Sequence, residues 1–186
     1  IIDRSGSMDG GGLTDAKAAA TTFATTLLPD GNTLNRIGLI TFAENTTSTS
    51  LTTSRSTILT AINAAHADGG TNIQRALDEA QDMLAGSTAT YKYIVLLSDG
   101  APTYSFKGTE AETSSDIPGS TFKITEFNST IKGQGNYYKL YTGSSWDSDH
   151  RQYTIDSVYT VVNHGLPTIS QALLMKEAGA EIFTIG

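Results

Sequence analysis

The chain has 186 residues, a formal charge of −7, no cysteine and a hydrophobic fraction of 38%. That length fits one domain with a sizeable core and room for an insertion. The acidic balance argues against a nucleic-acid partner, because no basic stripe is present to neutralise phosphates. The missing thiols exclude disulfides and zinc–thiolate or iron–sulfur sites, although they do not fix a compartment. No run of about 18 apolar residues is present, so no membrane insertion is expected in this segment.

The chain opens on IIDRSGSMDG. Two isoleucines read as the end of an apolar strand, and Asp3, Ser5 and Ser7 then place three oxygen-bearing side chains at alternate positions. The start is abrupt, and a truncated domain is the expectation. Leu13, Ala16, Ala20, Phe23, Ala24 and Leu27 recur at helical spacing, which predicts a helix from Leu13 to Leu28 with Pro29-Asp30-Gly31 as its stop. RIGLITFA, Arg36 to Ala43, is apolar on both faces and predicts a buried strand. Thr47 to Thr52 is rich in Thr and Ser, as a solvated antiparallel edge strand can be.

Ser54 is the expected N-cap of a helix that turns Ile58, Leu59, Ile62 and Ala65 inward. After ADGGTN, a further helix carries Ile73, Ala76, Leu77, Ala80 and Leu84 on one face and ends at Gly86. Tyr93 to Ser98 is a second buried strand, closed by Asp99-Gly100. A last helix runs from Leu166 to Ala178, with Pro167 in its first turn and Gly179 beyond it, and AEIFTIG is the final strand. Apolar strands alternating with helices predict an α/β fold: a Rossmann-like, doubly wound, mostly parallel sheet with helices on both faces. Residues 101–165 break the pattern. They hold Trp146 and six tyrosines (Tyr104, Tyr137, Tyr138, Tyr141, Tyr153 and Tyr159), and a structureless loop of that length is improbable. An inserted, arm-like subdomain is expected there, with 1–100 and 166–186 as the core.

Loops leaving the carboxyl ends of adjacent strands in such a sheet meet at one crevice. Asp3, Ser5, Ser7, Thr71 and Asp99 all sit on such loops and can converge. Two carboxylates and three hydroxyls form an all-oxygen set, which suits Mg²⁺ or Mn²⁺ and suits zinc poorly. The same motifs contain no general base, so the chemistry favours binding over turnover. Each element also has a plain structural role open to it: Asp3, Ser5 and Ser7 as a turn cluster, Thr71 or Asn72 as a helix cap, Asp99-Gly100 as an ordinary turn. Asp9 reads as solvated. His66, His150 and His164 share no ligand spacing and receive no role.

DRSGSM, GGTNI and LLSDGAP, in this order, resemble the von Willebrand factor type A domain with its metal-ion-dependent adhesion site; RIGLITFAENT resembles the second strand of that family. The resemblance covers most of 1–100 and 166–186. It implies that Asp3, Ser5, Ser7, Thr71 and Asp99 hold Mg²⁺ or Mn²⁺, with Ser5 and Ser7 bound directly and the others directly or through water. The insertion after Asp99, the lack of cysteine and the Thr/Ser/Gly-rich strands are similar to tip adhesins of Gram-positive pili. The implied function is an extracellular adhesion module at the cell wall or pilus tip. Its partners would be a host matrix protein or cell-surface glycoprotein that supplies a carboxylate to the metal, and other domains of the same adhesin or pilus. One alternative is a domain that makes intramolecular or assembly contacts. A remote one is a Mg²⁺-dependent phosphohydrolase, which would want an acidic residue where Ser5 stands. No Walker A loop or GxSxG elbow is present, and no enzymatic activity is expected.

Overall fold

The computed structural model describes residues 1–108, 127–134, 145–147, 152–154 and 164–186. Strand β1 (Ile2–Asp3) leads through a short 3₁₀ turn (Gly6–Met8) into helix α1 (Gly11–Leu27). Then follow β2 (Ile37–Phe42), β3 (Thr46–Thr52), α2 (Arg55–Asn63), α3 (Ile73–Ala85) and β4 (Lys92–Leu97). Beyond them lie β5 (Tyr104–Gly108), β6 (Phe127–Gln134), β7 (Ser145–Asp147), β8 (Gln152–Thr154), α4 (Gly165–Glu177) and β9 (Ala180–Ile185).

The main sheet has the order β3-β2-β1-β4-β9. β1 pairs in parallel with both β2 and β4, and β4 in parallel with β9, while β3 runs antiparallel to β2. The expected doubly wound, mostly parallel sheet is therefore present, with the Thr-rich strand on its antiparallel edge. Strand order reverses between β1 and β4, since the chain moves outward from β1 to β2 and β3 and then returns to β1's other side. The crevice at such a switch point is where an open α/β sheet receives ligands.

Period-2 alternation divides the apolar residues between two layers. Ile2 and Leu39 pack with Leu13 and Ala16 of α1 and with Ile58 and Ile62 of α2. Ile40, Phe42, Ile94 and Leu96 pack with Ile73 and Leu77 of α3 and with Met175 of α4. Ser54 caps α2 by accepting from the Thr57 amide at 3.3 Å. Gly179, at φ +85°, makes the left-handed turn from α4 into β9. Phe23 departs from expectation, being 44% exposed. At about 100° per residue it sits some 80° from Leu13 around α1, at the margin of the stripe formed by buried Leu13, Ala16 and Ala24. Tyr91, Tyr93, Phe183 and Ile185, on or beside β4 and β9, are exposed as well.

In the expected insertion, β5 pairs with β6 and β7 with β8, both antiparallel. Tyr137, Tyr138, Tyr141 and Tyr159 lie outside the described residues, as does most of that segment. The start of β5 is tied firmly to the core. Phe106 is buried and its amide donates to Gln74 Oε1 at 3.2 Å, while the Arg75 guanidinium lies 5.2 Å over its ring.

Candidate metal centre

The site grows from the carboxyl ends of β1 and β4. Asp3 ends β1 and is 0% exposed. Its Oδ1 accepts from the Ser5 amide at 2.7 Å, the local turn that an Asp favours two residues upstream of a free N–H. Its Oδ2 accepts from Ser98 Oγ at 2.6 Å, across the switch point. Ser5 Oγ and Ser7 Oγ are 3.1 Å apart, and Ser7 Oγ donates to Asp99 Oδ1 at 2.9 Å. Since a hydroxyl has one proton and that of Ser7 goes to Asp99, Ser5 is the donor in the Ser5–Ser7 bond. Asp3, Ser5, Ser7, Asp99 and Ser98 thus close a ring of hydrogen bonds and chain neighbours. The lone pairs left on both serine oxygens are available for a cation.

Thr71 joins differently. The Gly6 amide donates to the Gly69 carbonyl at 2.9 Å and the Asp68 amide to the Arg4 carbonyl at 2.8 Å, which pins the loop before α3 onto the serine loop. Gly69 adopts φ +65°, a conformation that favours glycine. Asn72, not Thr71, caps α3: its Oδ1 accepts from the Arg75 amide at 3.1 Å. Thr71 is buried, and its carbonyl and amide are both bonded to residues 103–104. So four of the five residues singled out from sequence share one hydrogen-bonded ring, and Thr71 is brought to its edge through main-chain contacts. Sequence reading missed Ser98 and Thr103. The signal for Ser98 was its place beside Asp99 at the end of a strand adjacent to β1, which only strand order reveals.

The chemistry of this donor set fits a hard cation. Asp3 is a wholly buried carboxylate, and a buried charge needs compensation. Among the described residues the one ion pair is Arg55–Asp30, which involves none of the ring's residues, so no cationic side chain answers Asp3 or Asp99. The ring offers oxygen alone, as Mg²⁺ and Mn²⁺ prefer. Among the described residues no three His, Cys, Asp or Glu side chains come together to hold a metal. A site here would therefore combine two carboxylates with hydroxyls. Asp9 is exposed, in keeping with a solvated role.

A doubly wound sheet with helices on both faces and an oxygen-lined ring at its switch point places the chain among the open, Rossmann-like α/β domains. Residues 1–101 match the family model of the von Willebrand factor type A domain, and the chain belongs to that family. The pilus adhesin SpaC from Lactobacillus rhamnosus GG is similar in structure, with TM-score 0.70 and 26% identity over 99% of this chain. The chain spans only 23% of that protein's length. The corresponding domain of the pilus tip protein Mfa5 from Porphyromonas gingivalis matches with TM-score 0.66 and 22% identity over 100% of this chain and 78% of that one. The tip pilin GBS104 from Streptococcus agalactiae matches with TM-score 0.64 and 17% identity over 100% of this chain and 84% of that one. At their lower identity the last two show the shared fold alone. Among curated proteins none matches the chain.

Proposed function

We propose that this chain is the adhesive module of a bacterial surface or pilus tip protein, acting outside the cell without enzymatic activity. Asp3, Ser5, Ser7, Thr71 and Asp99 would hold Mg²⁺ or Mn²⁺. The bound ion supplies an electrophilic position able to accept a carboxylate oxygen from a host matrix protein or cell-surface glycoprotein. Ser5 and Ser7 present neutral oxygens, so they bind without cancelling the ion's charge. Asp3 orients the serine loop from beneath through the Ser5 amide. Asp99 is the exposed carboxylate of the ring, so it would be the one nearer an incoming ligand. Residues 1–100 and 166–186 form the core in this reading, and 101–165 an inserted arm that frames the metal face and sets specificity. Other domains of the same adhesin or pilus are expected neighbours, in keeping with the far greater length of SpaC.

The observation that carries this reading is the buried Asp3, without an ion-pair partner among the described residues, tied through Ser5 and Ser7 to Asp99. Calorimetric titration of Mg²⁺ and Mn²⁺ into chelator-treated protein tests it, with Asp99→Ala as control. One-site binding that the variant loses is the expected result. No binding by the folded wild type would remove the mechanism.

A further inference from the structure

The residues that open the expected insertion hold the main chain of Thr71 from both sides. The Thr71 amide donates to Thr103 Oγ1 at 2.9 Å. The Thr103 and Tyr104 amides both donate to the Thr71 carbonyl, at 2.8 and 3.0 Å. The Tyr104 ring lies on the α-carbon of Gly70: a Cβ there would stand 2.1 Å from Tyr104 Cε2 and 3.0 Å from Thr103 Oγ1. A side chain at the second glycine of GGTN would therefore displace Tyr104 from this loop. On its other side the same loop is pinned by the Gly6–Gly69 bond. Thr71 thus sits between the serine loop and β5. Thr103 holds the Thr71 backbone, from which the hydroxyl projects, at both the N–H and the C=O.

We propose that Thr103 is a positioning residue for Thr71, and that the cation site and the entrance to the insertion are thereby energetically coupled; this rests on the cation reading above. The groups that orient a ligand residue commonly matter nearly as much to metal affinity as the ligand itself. Coupling between sites is reciprocal. Whatever shifts residues 103–104 shifts cation affinity, and a bound cation tightens the 103–104 contact by the same factor. A partner that moves the insertion would then be sensed at the metal through three hydrogen bonds, with no further relay.

Two measurements on the whole chain test this. The first compares the Mg²⁺ Kd of wild type, Thr103→Val and Thr103→Ser by calorimetry. The valine variant keeps the shape and loses only the Oγ1 acceptor for the Thr71 amide, while the serine variant restores that acceptor. Weakening of about 10- to 100-fold is expected for Thr103→Val, with recovery in Thr103→Ser. A merely structural clamp would lower Tm equally with and without Mg²⁺, whereas a positioning role shrinks the Mg²⁺-induced rise in Tm. The second measurement needs no variant: Mg²⁺ should slow hydrogen exchange at the Thr71, Thr103 and Tyr104 amides. Unchanged affinity in Thr103→Val beside a binding wild type overturns this inference alone. Should Thr103→Val fail to fold, exchange at these amides that ignores Mg²⁺ overturns it. A wild type that binds no cation overturns both this inference and the function it rests on.

Discussion

Beneath α1 and α2 the sheet packs on an aliphatic cluster in which Ile2, Leu13, Leu39, Ile58 and Ile62 interlock. Beneath α3 and α4 a similar cluster is joined by a chain of side-chain amides, of which Gln74 and Gln171 are buried. Gln74 Nε2 donates to Gln171 Oε1 at 3.2 Å, and Gln171 Nε2 donates to Gln81 Oε1 at 2.7 Å. Gln74 Oε1 receives the Phe106 amide, and buried Ser105 Oγ lies 2.7 Å from His164 Nδ1. The first layer has only to exclude water. The second must also fix where β5 leaves the core and where α4 returns to it. Apolar contact is non-directional, and many slightly shifted arrangements bury the same area. A hydrogen-bonded chain admits one register, and a partly satisfied chain is costly. The directional layer is thus the one that holds β5.

Substitutions can break this contrast in order of expected effect. Ile62→Ala should cost about 2–5 kcal/mol in denaturant unfolding, and Ile62→Val only about 0.5–1.5, because volume alone matters there. Gln74→Leu conserves volume yet should cost about 1–3 kcal/mol, since it strands the Phe106 amide and one Gln171 acceptor. Faster hydrogen exchange at Phe106 would accompany it. If Gln74→Leu proved neutral, the two layers would not differ as argued. Ser54→Ala removes the cap of α2 and should cost about 1 kcal/mol, independent of the second layer.

The smallest effect concerns Asp78 on α3. Desolvation first, and then the charges of Asp82 and Glu79, raise its pKa above the ordinary 3.8, against an opposing pull from Arg75. The native state therefore keeps this proton where the unfolded chain has lost it. Stability from this group falls as pH rises above 3.8 and is fully lost above the raised native value. Asp78→Asn should stabilise the protein at neutral pH by no more than about 0.5 kcal/mol, and should flatten stability against pH in the acid range.

Much of this was legible in the residues themselves. Helical spacing placed α1 to α4 within a few residues, and Ser54 capped α2 as its position before Thr57 suggested. Phe23 failed because a helix's periodicity places a residue near the apolar face but does not tell how wide the buried stripe is; Phe23 lies at its margin and is exposed. The roles of Thr71 and Asn72 could not be separated in sequence, since both are adjacent polar residues before a helix. The structure gives the cap to Asn72 and ties the Thr71 main chain to residues 103–104.

By itself the sequence determined the alternation of apolar strands with amphipathic helices and the clustering of Asp3, Ser5 and Ser7 on one turn. These depend on contacts within a few residues, where the local backbone dictates which side chains meet. Tertiary structure alone decided that Ser98 bonds Asp3 across 95 positions and that Thr103 holds Thr71 across 32. Those pairings follow from β4 lying beside β1 and from β5 packing on the loop before α3, and strand order is set by how both layers of helices bury the sheet together.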